Sequence, residues 1–370
     1  MGKKMNTRLN VNDILNSIKG DLGEEDYLEP LEVLVESLNT EANLSYLGSL
    51  GAKFQITNHL QTRAKIFDYV SSHELQQPSS PIFVIGLPRS GTTHLFNLLS
   101  QDTAHRSALF WEIMYPFPLS KKGSFSQKKK LFKTNMVLYF KNKFTPGLDD
   151  LHDIESTSPE ECLLIKTLSL RSMVYVYMAN IPAYQDYIQK TNFLPAFEWH
   201  KRFLQCLEVQ GKPKRWLLKD PCHLEHIPEI LETYPDARFI YISRDPSETI
   251  PSICSLTATV RSGFTDSLDT SLIGSQTLKF WKNVLNKYSN TKGDIDPSKL
   301  ITVAYEDLIL DPIGMTKSIY NKFNLELDVK TENSMLDYVT KSTGSHKKNH
   351  DYAPEDFGLS KELIRNELIF

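Results

Sequence analysis

The chain has 370 residues and a mass of 42.4 kDa, with 40% apolar and 24% charged residues, which excludes a disordered or collagen-like chain and allows a sizeable core. Lys and Arg total 42 against 45 Asp and Glu, a net charge of -3 with a pI near 6.4, so broad nonspecific binding to nucleic acid is not expected. Cys162, Cys206, Cys222 and Cys254 form no C-x-x-C pair and are expected as reduced, buried thiols rather than a disulfide framework or a thiolate zinc site.

Residues 1–10 carry lysines with no apolar stretch behind them, and no run approaches the roughly 18 apolar residues of a membrane span. The expectation is a cytoplasmic protein with no membrane span. Residues 1–77 are predicted to be a helical N-terminal extension, from the helical spacing of Ile14 to Ile18 and of Leu31, Val33, Leu34 and Leu38. Pro78-Ser79-Ser80-Pro81 breaks the pattern, and the main domain is placed at 78–370. It begins with Ile82-Phe83-Val84-Ile85, a continuous apolar run of the kind found in buried parallel strands. Trp216-Leu217-Leu218, Phe239-Ile240-Tyr241-Ile242 and Leu300-Ile301-Thr302-Val303 repeat that signature between helical stretches, which predicts βα units and a parallel sheet.

About 130 residues separate the first two strands, too many for one crossover helix, so residues 104–214 are expected to be a helical, aromatic-rich cap. Core packing accounts for most of its aromatic residues, and the rest are available to wall an apolar acceptor pocket. The lysines from Lys121 to Lys143 are expected to form a solvated helix face.

Directly after the first strand stands Gly86-Leu87-Pro88-Arg89-Ser90-Gly91-Thr92-Thr93, followed by a helical run over 94–99. Strand, glycine-bearing loop and helix bring backbone N–H groups and the positive end of a helix dipole to one point, which suits an anion. The segment has the glycine spacing and final hydroxyl of G-x-x-x-x-G-K-[ST], but Thr92 stands where the lysine belongs. A kinase or nucleotide hydrolase lacks its phosphate lysine here, while Arg89 still offers a cationic donor.

Pro88-Arg89-Ser90-Gly91-Thr92-Thr93 resembles the 5′-phosphosulfate loop of sulfotransferases that use 3′-phosphoadenosine 5′-phosphosulfate. Tyr241-Ile242-Ser243-Arg244-Asp245-Pro246, continuing to Ser252, resembles the 3′-phosphate segment of that family, with a serine eight residues after the arginine. Asp245 as N-cap and Pro246 as first helical residue would leave Arg244 at the sheet edge and Ser252 about two turns along. Trp216-Leu217-Leu218-Lys219-Asp220-Pro221, Tyr305-Glu306-Asp307-Leu308 and the tail from His346-Lys347-Lys348 to Asp356-Phe357-Gly358-Leu359 extend the likeness over about residues 80–360, nearer the bacterial-type branch.

The resemblance implies a three-layer α/β fold with a central parallel sheet, of the P-loop nucleotide-binding kind. The activity it implies is sulfuryl transfer from 3′-phosphoadenosine 5′-phosphosulfate to a small or hydrophobic alcohol or phenol. Arg89, Ser90, Gly91, Thr92 and Thr93 would hold the 5′ side; Arg244 and Ser252, with Lys347 from the C-terminal basic segment, would hold the 3′-phosphate. Lys219 would neutralise charge on the leaving phosphate, with pairing to Asp220 as its structural alternative, and the scheme requires no metal.

The base that takes the acceptor proton stays open among His152, His223 and Glu112. Glu160 and Glu161 are assigned to a helix cap, because Ser158, Pro159 and Glu161 have the spacing of a capping box. The alternatives are a P-loop kinase or hydrolase and an inactive nucleotide-binding module. The expected partner is a small-molecule hydroxyl acceptor and not a nucleic acid, with a homo-oligomer left open.

Overall fold

The computed structural model describes residues 8–78, 80–144, 155–343 and 353–368. The four apolar runs become β1 (Ile82–Gly86), β3 (Arg215–Lys219), β4 (Arg238–Ser243) and β5 (Leu300–Ala304). A two-residue strand, β2 (His105–Arg106), joins them at the edge beside β3. All pairings are parallel, in the order β2-β3-β1-β4-β5. β1 is therefore central, with Ile82 opposite both Leu217 and Arg238.

Alternation along the strands divides the core into two layers. Phe83, Ile85, Trp216, Leu218 and Phe239 face one side, where they pack with Phe197, Phe203 and Leu204 of the Leu194–Glu208 helix, Ile250 and Ile253 of Pro246–Ser262 and Trp281 of Thr270–Thr291. Ile82, Val84, Leu217, Ile240, Ile242 and Val303 face the other, against Leu95, Phe96 and Leu99 of the Thr92–Leu99 helix and Ile319 and Tyr320 of Pro312–Lys322. The sheet is thus covered on both faces, the three-layer α/β arrangement that continuous apolar strands require.

Between β1 and β3 the chain is mostly helical: Phe110–Met114, Phe125–Phe144, Cys162–Ile165, Val174–Met178, Pro182–Lys190 and Leu194–Glu208. Trp111, Tyr175, Tyr184, Phe193, Phe197 and Trp199 are buried there, whereas Phe125, Phe132, Tyr139 and Phe140 are exposed. The N-terminal helices Val11–Asn16, Leu28–Thr40 and Tyr46–Ser71 share the first core layer through Leu31, Leu34, Ile56 and Leu60. Arg63 ties them to it: fully buried, it ion-pairs with Asp26, donates to the Leu168 carbonyl at 3.1 Å and lies 3.9 Å over the Trp199 ring. All four cysteines are free and buried.

Candidate active site

β1 delivers the chain into a turn that only a small set of residues permits. Gly86 has φ 153° and its missing Cβ would lie 2.7 Å from the Ile242 carbonyl oxygen of β4, so a side chain here would separate two core strands. Ser90, buried, donates from its hydroxyl to the Leu87 carbonyl at 2.7 Å and closes the loop. Gly91, at φ 93°, is the N-cap of Thr92–Leu99, a helix with no side-chain cap, so its first amides are offered to whatever lies before them.

β4 ends beside that turn. Arg244 donates from Nη1 to the Arg89 carbonyl at 2.7 Å, and its guanidinium lies 3.9 Å over the Tyr305 ring. Asp245 accepts from the Ser247 amide at 2.8 Å with Pro246 at the first helical position, as the spacing predicts. Burial opposes the ionised Asp245 carboxylate, but Arg365, 2.7 Å away, and Ser247 outweigh it and hold its pKa below the usual range. From that cap the helix carries Ser252 back to the loop, where it accepts from Arg89 Nε at 3.1 Å. Arg89, Arg244, Ser252 and the 86–93 turn therefore form one connected group at the carboxyl ends of neighbouring strands, beside the switch point where β1 is flanked by β3 and β4.

β3 supplies the third cation of the crevice. Lys219, 2% exposed, donates from Nζ to Thr93 Oγ1 at 3.2 Å and ion-pairs with the Glu161 carboxylate. The neighbouring Asp220 is occupied elsewhere, 2.8 Å from Lys166 Nζ with both side chains buried. Burial pushes the Lys166 pKa down, but attraction to Asp220 and the nearby thiols leaves it raised. The partner of Lys219 is thus Glu161 and not Asp220.

The expected capping box does not form. The helix starts at Cys162, with Glu161 as an N-cap lacking a side-chain bond, because the Ser158 carbonyl accepts from the Phe110 amide at 3.0 Å and Pro159 bridges to Leu109. That leaves the Glu161 carboxylate to reach Lys219.

The structure does not bring His223 to the crevice. The turn Pro221–Glu225 folds the ring into the core, fully buried, with centroids 5.1 Å from Phe83 and 5.6 Å from Phe197 and neither nitrogen hydrogen-bonded. Burial holds its pKa well below the usual histidine value, with Lys166 adding to the effect. Glu112 is also committed: Oε1 accepts from Arg106 at 3.1 Å and Oε2 from the Leu109 amide at 3.0 Å, which caps Phe110–Met114. His152 and Lys347 lie outside the described residues.

The model of the sulfotransferase family matches residues 81–329, which takes in every strand and both halves of the crevice. The chain belongs to the sulfotransferase family. It is 26% identical over 257 residues to omega-hydroxy-beta-dihydromenaquinone-9 sulfotransferase Stf3 of Mycobacterium bovis, a match covering 66% of this chain and 63% of that protein, so less than two thirds of the relative is spanned. The crystal structure of sulfotransferase STF1 from Mycobacterium tuberculosis is 28% identical, with a TM-score of 0.86 over 98% of this chain and 99% of that one. Sulfotransferase STF9 from Mycobacterium avium shares the fold at 23% identity, with a TM-score of 0.84 over 97% and 94% of the two chains.

Two residues of the crevice escape the sequence reading. Glu161 is hidden by a plausible helix-cap spacing, and Tyr305, although part of a recognised segment, gives no sign that its ring backs Arg244. Pairing the end of β3 with the segment 155–161 is a tertiary fact with no local signal.

Proposed function

We propose that this sulfotransferase moves the sulfuryl group of 3′-phosphoadenosine 5′-phosphosulfate to the hydroxyl of a hydrophobic acceptor. One observation carries the reading: Arg244 reaches the Arg89 carbonyl while Arg89 reaches Ser252, so two guanidinium groups and a hydroxyl converge beside open helix N-terminal amides. Such a donor set fits a nucleotide with anionic groups at both its 3′ and 5′ positions, and among the described residues no carboxylate pairs with Arg244. Arg244 and Ser252, with Lys347 from the C-terminal segment, are assigned to the 3′-phosphate, and Arg89 and Ser90 with the amides of Gly91, Thr92 and Thr93 to the 5′ end, the Ser90 amide itself donating to the Leu87 carbonyl at 3.2 Å. When bound, the donor supplies an electrophilic sulfur on an anhydride to phosphate.

Lys219, between Thr93 and Glu161, is placed to offset charge that grows on the leaving phosphate. Glu161 is assigned the role of base: its carboxylate is 17% exposed, beside that cation and at the crevice, whereas Glu112 has both oxygens engaged and His223 is sealed in the core. The mycobacterial relative is named for a hydroxylated dihydromenaquinone, which supports an apolar acceptor. A phosphoryl-transfer reading has less support, because Thr92 fills the lysine position and is buried.

Single-turnover transfer from sulfur-labelled donor to a panel of long-chain alcohols and phenols tests the proposal, together with calorimetry of adenosine 3′,5′-bisphosphate. Binding and transfer are expected without ATP turnover. Magnesium-dependent ATP hydrolysis would replace this reading with that of a nucleotide hydrolase, and binding without transfer to any acceptor with that of an inactive module.

A further inference from the structure

The Phe125–Phe144 helix is built inside out. Its inward positions are Lys130, Thr134 and Leu138, spaced four apart, with Lys130 Nζ donating to the Pro116 carbonyl at 2.9 Å and lying 5.5 Å over the Trp111 ring. Its outward positions hold the large apolar side chains: Phe125 is 83% exposed, Phe132 67%, Tyr139 61%, Phe140 46% and Met136 40%. At 1.5 Å per residue this ridge runs about 22 Å. Lone exposed apolar residues are ordinary, but a continuous ridge of four aromatic rings on one helix marks a contact surface.

The charge around the ridge identifies the contact. Residues 121–144 contain eight lysines and no Asp or Glu, in a chain whose net charge is -3. Lys121, Lys122, Lys128, Lys129 and Lys133 are exposed beside the aromatic residues. We propose that this helix docks the protein on an anionic lipid bilayer, the aromatic ridge lying in the headgroup region and the lysines meeting lipid phosphates. Aromatic residues flanked by lysines are the composition of an interfacial helix, and each lysine near an anionic surface adds attraction. The helix lies on the bilayer and does not cross it: among the described residues no helix is long and apolar enough to span. A second copy of the chain is a poorer occupant, because a two-fold pairing of this face sets each lysine row against its own copy. The sequence expectation is a solvated lysine face rather than a binding surface; Lys130 departs from it by being buried, and the proposal gives the exposed lysines a binding role in its place.

The test uses the full chain and flotation with vesicles of phosphatidylcholine alone or with about 30 mol% phosphatidylglycerol. Binding is expected to the anionic vesicles, at least about tenfold weaker to the neutral ones, and reversed by high salt. The triple variant Phe132→Ser, Met136→Ser, Tyr139→Ser and the triple variant Lys128→Glu, Lys129→Glu, Lys133→Glu should each lose about tenfold or more in partition. Both should keep the thermal melt and bisphosphate affinity of the parent. No flotation of the unmodified protein, equal binding to both vesicles or unchanged binding by both variants would overturn the proposal. A dimer in light scattering that the serine variant dissociates would assign the face to a second copy instead. None of these readouts depends on sulfuryl transfer, so failure here leaves the proposed activity standing.

Discussion

Gly91 sits where backbone geometry and ligand chemistry meet. Its φ of 93° is left-handed, and a Cβ would lie 2.8 Å from Tyr305 Cδ2, on the same ring that supports the Arg244 guanidinium. Gly91→Ala is therefore expected to push Tyr305 aside and release Arg244, weakening adenosine 3′,5′-bisphosphate about tenfold or more by titration calorimetry. Affinity within twofold of the parent would show that Tyr305 does not set the arginine. Removing the guanidinium itself, in Arg244→Ala, should cost more, about 100-fold, because a charge-assisted contact is lost outright. Glu161→Gln probes chemistry rather than binding: the amide keeps the shape but takes no proton, so kcat should fall on the order of 100-fold with bisphosphate affinity unchanged. A fall in kcat for His152→Ala, with Glu161→Gln unaffected, would move the base to the histidine.

Elements were legible where burial alone shapes them. β1, β3 and β4 are covered on both faces, so each reads as a continuous apolar run within a residue or two of its observed ends, and β5, at the sheet edge with Thr302 exposed and Val303 buried, keeps enough of that pattern to be found. β2 has two residues and no such run, and its pairing with Arg215 and Trp216 comes from the sheet edge rather than from itself. The cap at Asp245 was legible because an Asx-Pro start is a local device, while the one imagined at Ser158 failed because a distant strand-like bridge claimed that segment. The site divides in the same way: Arg89, Arg244 and Ser252 follow from loops at strand ends, but the Lys219–Glu161 pair joins segments far apart in sequence. A second distant pair joins the cap to β3, Lys166 with Asp220, whose Oδ1 also accepts from the Cys222 amide at 2.8 Å. Asp220→Asn preserves that cap but strands a buried ammonium, and is expected to lower unfolding stability by about 3 to 5 kcal/mol. The urea midpoint should fall with its slope unchanged; a shift below about 1 kcal/mol would mean that water reaches Lys166.

At the scale of the whole molecule, two histidines join the layers, His200 buried and His59 half-buried. His59 of the Tyr46–Ser71 helix meets the Tyr175 hydroxyl through Nδ1 at 2.7 Å, linking the N-terminal helices to the cap. His200 meets the Tyr234 hydroxyl at the same distance, linking the cap to the helix that leads into β4. Burial drives the His59 pKa down to about 4 and that of His200 down to about 3, with the charge of Lys166 adding to the latter. In the unfolded chain both titrate near 6.5. Between those values the unfolded state binds more protons than the folded one, so stability falls as pH drops from about 6.5 toward 4. Each histidine should cost about 2 kcal/mol between pH 7 and pH 5. The Glu24 carboxylate, held near 2 chiefly by its hydrogen bonds from Arg202, titrates in a lower window and adds little there. Thermal melts at the two pH values should show a clear drop in Tm, part of it recovered by His200→Gln, which cannot charge and can still pair with Tyr234; His105, His223 and His226, whose pKa values burial also lowers, add to the remainder. If the parent melts at the same temperature at both, water reaches these rings and the sealed junction between the layers is not there.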